Sequence, residues 1–289
     1  MRVTNRSIEL TLIGQLRNGF SELARMQSLV ATGIRVSKPS DDPIAAAQIL
    51  RVEHSLRNLE QFQRNSGAAQ IRIATQESVL SQVGELLTRA QEVALSQGSA
   101  TLDDNSRLAA AGEIDALRNQ VFQFGNTRVG NEFIFGGGMT DAPPFVAGSY
   151  VGDDTVRQTR IADNVVIETN LTGRQIFVDT GVVSSLTALR DALQTGSATA
   201  VQDSVAGLNV AFDHVQQNLT ATGAATRQLE SIGIARDNME FDLTTARAEL
   251  REVPFEEATT RFLSAQTVLE AARAAASRIM NTTLTDFLR

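Results

Sequence analysis

The sequence predicts a mainly α protein with a β-rich insertion, in which long helices from the two chain ends pair as an antiparallel helix bundle or coiled coil. Three observations carry that fold class. Both ends hold apolar residues at alternating steps of three and four, a spacing that draws a narrow seam along a helix and needs a partner helix to cover it. A stretch between residues 132 and 180 is instead rich in turn residues and short β-branched runs. The chain of 289 residues is 42% hydrophobic but only 5% aromatic, with no Trp, a composition of small and aliphatic seams more than of broad aromatic cores.

The elements follow in order. Near the start, Ile13, Leu16, Phe20, Leu23, Val30 and Ile34 form the first seam, interrupted by Gln27. It fades at Thr32-Gly33. Ser40-Asp41-Asp42-Pro43 then reads as a helix restart: Asp42 caps, Pro43 sits in the first turn where its missing N–H costs nothing, and the carboxylates favour the positive helix end. The next pattern runs through Ile49, Val52, Leu56 and Leu59, re-phases at Ile73, Leu80, Val83, Leu87 and Ala90, and fades at Ser96 to Ser99. Another helix is expected from Asp103–Ser106, carrying Ile114, Leu117, Val121 and Phe124. Gly136-Gly137-Gly138 and Pro143-Pro144 mark turns, and strands are expected at 156–161, 164–169 and 175–178. Helical spacing resumes with Leu186, Leu189 and Leu193, then Val205, Leu208, Phe212, Val215 and Leu219, then Ile232 to Val253. Pro254 interrupts it. The last seam, Phe255, Ala258, Phe262, Ala265, Leu269, Ala272, Ala276 and Ile279, has no break.

These signals divide the chain into an N-terminal assembly helix and linker (1–42), two halves of a helical rod (43–135 and 181–253), a small β-rich outer domain (136–180) and a C-terminal assembly helix (254–289). The assembly surfaces are expected on the two seams. The β-rich segment, with its acidic excess and many turns, is expected to face outward and to tolerate replacement of residues 146–178 by a short linker.

Composition excludes several function classes. A net charge of −7 and a pI near 5.0 oppose a nucleic-acid partner, which needs concentrated positive charge. There is no cysteine, so neither disulfides nor thiolate chemistry operate. No run approaches the roughly 20 apolar residues of a membrane span, so no membrane insertion is expected. The N-terminus has no apolar stretch followed by a small-residue cleavage site, so export would use a route without a cleaved signal peptide.

No residue set points to catalysis, a cofactor or a metal. His54 and His214 are the only histidines, and neither has a second histidine one helical turn away. Asp41-Asp42 and Asp103-Asp104 read as helix starts and Asp153-Asp154 as a turn. The triple glycine lacks the Lys-Ser/Thr of a phosphate loop, and no GxSxG element supplies a nucleophile. Alanine on half of the last seam suits close helix packing better than a membrane surface.

The run from Val36 to Gln48, VSKPSDDPIAAAQ, preceded by Thr32-Gly33-Ile34-Arg35, resembles a motif of flagellins and their junction relatives. Within that superfamily, IFGGGMTDAPPF from Ile134 to Phe145 is more similar to the hook-associated protein 3 family of hook-filament junction proteins, and NTTLTDFLR from Asn281 departs from the usual flagellin ending. The resemblance implies a flagellin-like fold whose paired terminal helices stack subunits in a hollow axial tube. It implies extracellular placement in the bacterial flagellum after unfolded export by the flagellar type III apparatus, where absent cysteines leave no covalent obstacle. The implied partners are further copies of the chain in a ring or helical layer, another hook-associated junction protein, flagellin, and a cytosolic export chaperone at the C-terminal region. Two other readings stay open at this point: flagellin itself, the major filament subunit, and an exported helical adhesin, for which a single Tyr150 and no Trp offer a poor sugar platform.

Overall fold

A computed structural model describes residues 3–98 and 104–287, with side chains followed from Leu10 to Arg278. The fold is helical, as the spacing predicts. Six α-helices appear: α1 (Val3–Thr32), α2 (Pro43–Gln97), α3 (Asp104–Gly125), α4 (Val182–Thr195), α5 (Ala198–Arg251) and α6 (Phe255–Phe287). Asp103 lies outside the described residues. Between α3 and α4 come six short strands, β1 (Arg128–Val129), β2 (Glu132–Phe133), β3 (Phe145–Val146), β4 (Ser149–Tyr150), β5 (Gln158–Ala162) and β6 (Val165–Glu168), paired successively as three antiparallel hairpins. The chain forms two compact units. One comprises residues 1–57 and 239–289, the other 58–238, a division that falls inside the uninterrupted helices α2 and α5.

In the 58–238 unit, α2 and α5 run antiparallel: the Gln91 amide donates to Asn209 at 2.9 Å, and Gln202 donates to the Gly98 carbonyl at 3.2 Å. Their facing residues Leu80, Val83, Leu87, Leu208, Ala211 and Val215 are fully enclosed, together with Ile114 and Val121 of α3 and Leu186 and Leu189 of α4. Apolar burial at this density is the main stabilising contribution. Local signals set the ends of α4. Gly181 and Gly196 both adopt the left-handed conformation that glycine enters without steric cost, and Ser197 accepts the Ala200 N–H at 3.2 Å to cap α5.

The segment 136–180, expected as an outer domain, shares these cores instead of standing outside them. Phe145, Ile176 and Phe177 belong to the main core, beside Ile134 and Phe135 just before the segment. Ile161 and Ile167, from facing strands β5 and β6, pack with Ala69 and Ile73 of α2 and Leu229 of α5. The aromatic rings gather here: Phe177 meets Phe135 and Phe145 edge-on at 5.4 Å, and Tyr150 lies 5.3 Å from Phe145. Gly125 makes room for that cluster, since a Cβ there would stand 2.5 Å from the Phe145 ring.

Residues 175–178, expected as a strand, are part of a π-helix spanning Arg174–Val178. A reciprocal cap explains the helical start: the Thr172 N–H donates to Gln175 Oε1 at 3.0 Å, and the Gln175 N–H donates to Thr172 Oγ1 at 3.3 Å. A short apolar run such as QIFV suits a strand or a buried helical turn equally well, and the cap decides. The triple glycine forms a turn locked by Asp153, whose Oδ1 accepts the N–H groups of Gly138 (2.6 Å) and Thr155 (3.0 Å). Those two hydrogen bonds hold the Asp153 carboxyl below its usual range.

One turn is strained. Between β3 and β4, Ala147 (φ 49°) and Gly148 (φ 80°) are both left-handed, as a two-residue hairpin of the primed type requires, and alanine is poorly suited to that region. Ala147→Asn is therefore expected to stabilise the protein by about 0.5–1 kcal/mol, raising its melting temperature by roughly 1–4 °C. Thermal unfolding of the two chains side by side measures this; a lowered midpoint would show that the alanine methyl makes a contact worth more than the strain.

Candidate functional site

In the unit containing both chain ends, α1 and α6 lie antiparallel against each other. The α6 face toward α1 is the one its spacing marks. Ala258, Leu269 and Ala276 are buried, and Phe262, Ala265 and Ala272 are half-buried. Phe255, at the start of that series, is 65% exposed. Ile279 falls in helix α6, but its side chain lies outside the described residues.

On α1 the covered stripe differs from the expected one at every second position. Leu16, Leu23 and Val30 are covered, whereas Ile13 and Phe20 stay 61% and 48% exposed. The places of Ile13, Phe20 and the interrupting Gln27 are taken by the residues one step earlier, Leu12, Gly19 and Met26, with Leu29 buried beside them. This series contains no Gln27, so the interruption in the expected seam was the sign that the frame was shifted. Gly19 concealed the correct frame because it counts as a breaker. It serves instead as a recess: a Cβ at this position would stand 3.0 Å from Leu269 Cδ1. Met26, Leu29, Val253 and Ala258 close the hinge end of the seam, with Val30, Phe262 and Ala265 against them.

The link between α1 and α2 is tied to the link between α5 and α6. Pro254 stops α5 and leaves its last carbonyls without intrahelical donors. Residues 33–36 supply those donors. The N–H groups of Arg35 (2.7 Å) and Val36 (3.3 Å) donate to the Arg251 carbonyl, and the Arg35 guanidinium donates to the Leu250 carbonyl at 2.9 Å. In return the Val253 N–H donates to the Gly33 carbonyl at 2.9 Å, and Ile34, expected in the seam, forms an isolated antiparallel bridge with Glu252. Gly33 can bend the chain here because its φ is 69°. Beneath, Val36, Ala45 and Ile49 share a small core with Ala46 and Leu250.

The Ser40-Asp41-Asp42-Pro43 run fixes this hinge, with a division of roles. Asp42 caps α2 through the Ala45 N–H (3.0 Å) and pairs with Arg35 (3.1 Å), while Pro43 occupies the first helical position. Asp41 gathers the preceding loop, accepting the N–H groups of Ser37 (3.0 Å) and Lys38 (2.9 Å) and the Ser37 hydroxyl (3.0 Å). Ser40 is exposed and takes no part in these capping bonds. A recess of about 370 Å³ beside the hinge is lined by Arg25, Lys38 and Arg261 among others. Arg25 pairs with Glu22 and Arg261 with Glu257, so its arginines already hold carboxylates.

Both aspartates titrate below the ordinary carboxylate range. For Asp41 the largest cause is the Lys38 N–H, then the Ser37 groups; for Asp42 it is the Ala45 N–H, then Arg35. A folded-state value below the unfolded one means that their stabilisation is present above the unfolded value of about 3.8 and is lost as pH falls through the folded values. Hydrogen exchange, corrected for intrinsic rates, is expected to show the Lys38 and Ala45 amides losing protection relative to the α2–α5 core as pH drops below 4. In Asp41→Ala the Lys38 amide should already be unprotected at neutral pH. Protection that stayed proportional to the core throughout would remove the aspartates from the hinge.

The arrangement is suited to burying helix faces. Among the described residues no three His, Asp or Glu side chains gather where they could hold a metal ion, and no helix is long and apolar enough to cross a membrane. His214 Nδ1 lies 3.3 Å from the Thr180 carbonyl, a link within the helical core region.

Residues 3–140 match the model of the bacterial flagellin N-terminal helical region. The chain is 32% identical to flagellar hook-associated protein 3 of Salmonella typhimurium over 182 residues, 61% of this chain and 57% of that protein. It is 27% identical to flagellar hook-associated protein 3 of Escherichia coli over 287 residues, covering 89% of this chain and 90% of that protein. Its fold is similar to the solved structure of the flagellar junction protein FlgL from Legionella pneumophila, with a TM-score of 0.60 at 17% identity over 71% of this chain and 100% of that one.

Proposed function

We propose that this chain, which is similar over residues 3–140 to the flagellin N-terminal helical region and has flagellar hook-associated protein 3 among its relatives, is a structural subunit that joins the flagellar hook region to the flagellin filament. The observation that carries the reading is the pairing of the first and last helices in one unit whose outer apolar residues remain uncovered. A soluble monomer gains nothing from exposed Leu10, Ile13 and Phe20 on one helix, whereas a subunit that packs against neighbours does. The role is architectural and non-catalytic.

The finer assignments rest on the same reading. The partners are other copies of the chain in a ring or helical layer, a second hook-associated junction protein on the hook side, and flagellin on the filament side. A cytosolic export chaperone holds the C-terminal region beforehand, and the flagellar type III apparatus exports the chain without signal cleavage. Flagellin itself is the second reading, because the match over residues 3–140 is to the flagellin N-terminal region.

Electron microscopy of cells lacking the protein separates the two. A junction subunit leaves hooks without filaments and flagellin shed into the medium. If hooks still carry filaments in those cells, or if the purified chain alone polymerises into long filaments, the junction role is wrong.

A further inference from the structure

In the 58–238 unit, the paired helices α2 and α5 carry glycines that no neighbour requires. Gly67 and Gly233 both sit inside helices, neither has a positive φ, and a Cβ built on either would meet nothing within 4 Å. Other glycines of the same helices are different: a Cβ on Gly84 would stand 3.5 Å from the Gln216 amide, and one on Gly207 would stand 3.3 Å from the Ser185 hydroxyl. Close packing accounts for those two and leaves Gly67 and Gly233 without a steric reason. What glycine still supplies at such a position is backbone freedom, at a cost in helix stability that alanine does not carry.

The two glycines lie level with each other. The antiparallel register that sets Gln91 against Asn209 and Gly98 against Gln202 continues through the cluster of Ala69, Ile73 and Leu229, and just past that cluster it brings Gly67 opposite Gly233. Gly223 is equally open, but no glycine of α2 stands level with it. Packing is thin at the Gly67 level: no residue of α2 between Phe62 and Ala69 is buried, and none of α5 from Glu230 to Asn238. Ser66 adjoins Gly67, and Gly/Ser pairs are among the few places where helices kink. A helical stretch with few buried contacts opens at lower free energy than the core beside it.

The β5–β6 hairpin bridges the α2 glycine. On one side of it, Ile161 and Ile167 pack with Ala69 and Ile73. On the other, the Asn65 amide donates to the Arg160 carbonyl at 2.7 Å, and the Arg160 guanidinium lies 5.9 Å from the centroid of the Phe62 ring. A rigid two-stranded element held at both sides of a flexible point acts as a splint.

We infer that Gly67 and Gly233 form a joint at which α2 and α5 bend together, and that the β5–β6 hairpin limits the bend. The joint passes between side-chain clusters and crosses none of them, so bending leaves the core around Ile114 in place. It stands apart from the junction role, which neither requires nor excludes it.

The absence of cysteine lets spin labels be placed selectively. In the full chain, labels on cysteines replacing the exposed Glu60 and Ser81 straddle Gly67, roughly 30 Å apart along a straight helix. Their distance distribution, measured by pulsed electron paramagnetic resonance, should narrow in Gly67→Ala with Gly233→Ala and broaden in Asn65→Ala with Arg160→Ala. Hydrogen exchange should be faster at residues 63–68 and 230–237 than around Ile114, and each alanine should slow it about fivefold at the joint. Alanine meets no atom at either glycine, so these variants keep the fold. Gly112→Ala, an equally open position in α3, should change neither the distance distribution nor exchange at the joint. A distribution as narrow in the parent chain as in the double-alanine variant, exchange at the joint as slow as in the core, or an equal response to Gly112→Ala overturns the joint. An unchanged distribution in Asn65→Ala with Arg160→Ala overturns the splint.

Discussion

Leu269→Asp is expected to open the pairing of the chain ends and to abolish filament attachment, while the 58–238 unit melts as before. Leu269 is 4% exposed, and its Cδ1 approaches the recess that Gly19 leaves on α1. The substitution removes that burial and places a carboxylate in the covered face of the seam. Loss of apolar burial alone costs roughly 2–5 kcal/mol, and desolvating an unpaired charge adds to it. Isolated helices gain little from propensity, so α1 and α6 should lose helicity together. Circular dichroism should register fewer helical residues with an unchanged main transition, and cells should carry hooks without filaments. Normal swimming by the mutant would show that the α1–α6 seam is dispensable for assembly.

Deleting residues 146–178 and bridging the gap with a Gly/Ser linker is expected to unfold the 58–238 unit. Sequence alone suggests the opposite outcome, because the segment is short, acidic and full of turns. The structure places Ile161, Ile167, Ile176 and Phe177 in its cores, each no more than 6% exposed. Removing side chains of that size costs roughly 2–5 kcal/mol apiece, so four together rival the roughly 5–15 kcal/mol by which a whole domain is stable. The deleted protein should show a broadened or missing thermal transition and rapid proteolysis. A milder change at the exposed turn, Asp163→Gly, should leave the transition in place. If the deletion variant melted cooperatively near the parent temperature, those buried side chains would be ornamental to the core.

The two results trace where sequence reasoning reaches its limit. Periodicity located every long helix, because apolar residues at steps of three and four mark a covered face whatever covers it. Pro254 and the Asp42-Pro43 pair placed the helix ends, since both act on the local backbone. Periodicity did not give the α1 frame. The spacing read from sequence mixes two stripes one step apart, taking Leu16, Leu23 and Val30 from the covered one and Ile13 and Phe20 from the exposed one. Only the recess at Gly19 and the burial of Met26 show which series meets α6.

The hinge shows the same division. Asp42 was legible as a cap and Asp41 only as a favourable charge at the helix start, not as the residue that gathers the preceding loop. Their wider effect, through Arg35 on the Leu250 carbonyl and through residues 33–36 on the end of α5, joins positions more than 200 residues apart. No local pattern encodes such a pairing.

By itself, then, the sequence determined the helical class, the apolar face of α6, the break at Pro254 and the capped restart at Pro43, because each depends on interactions within a turn or two of chain. Tertiary structure alone decided which face of α1 is covered, that QIFV coils into a π-helix, and that the β-rich segment contributes side chains to the helical core. Those outcomes turn on which distant surfaces compete for the same apolar residues, and that competition is settled only when the whole chain packs.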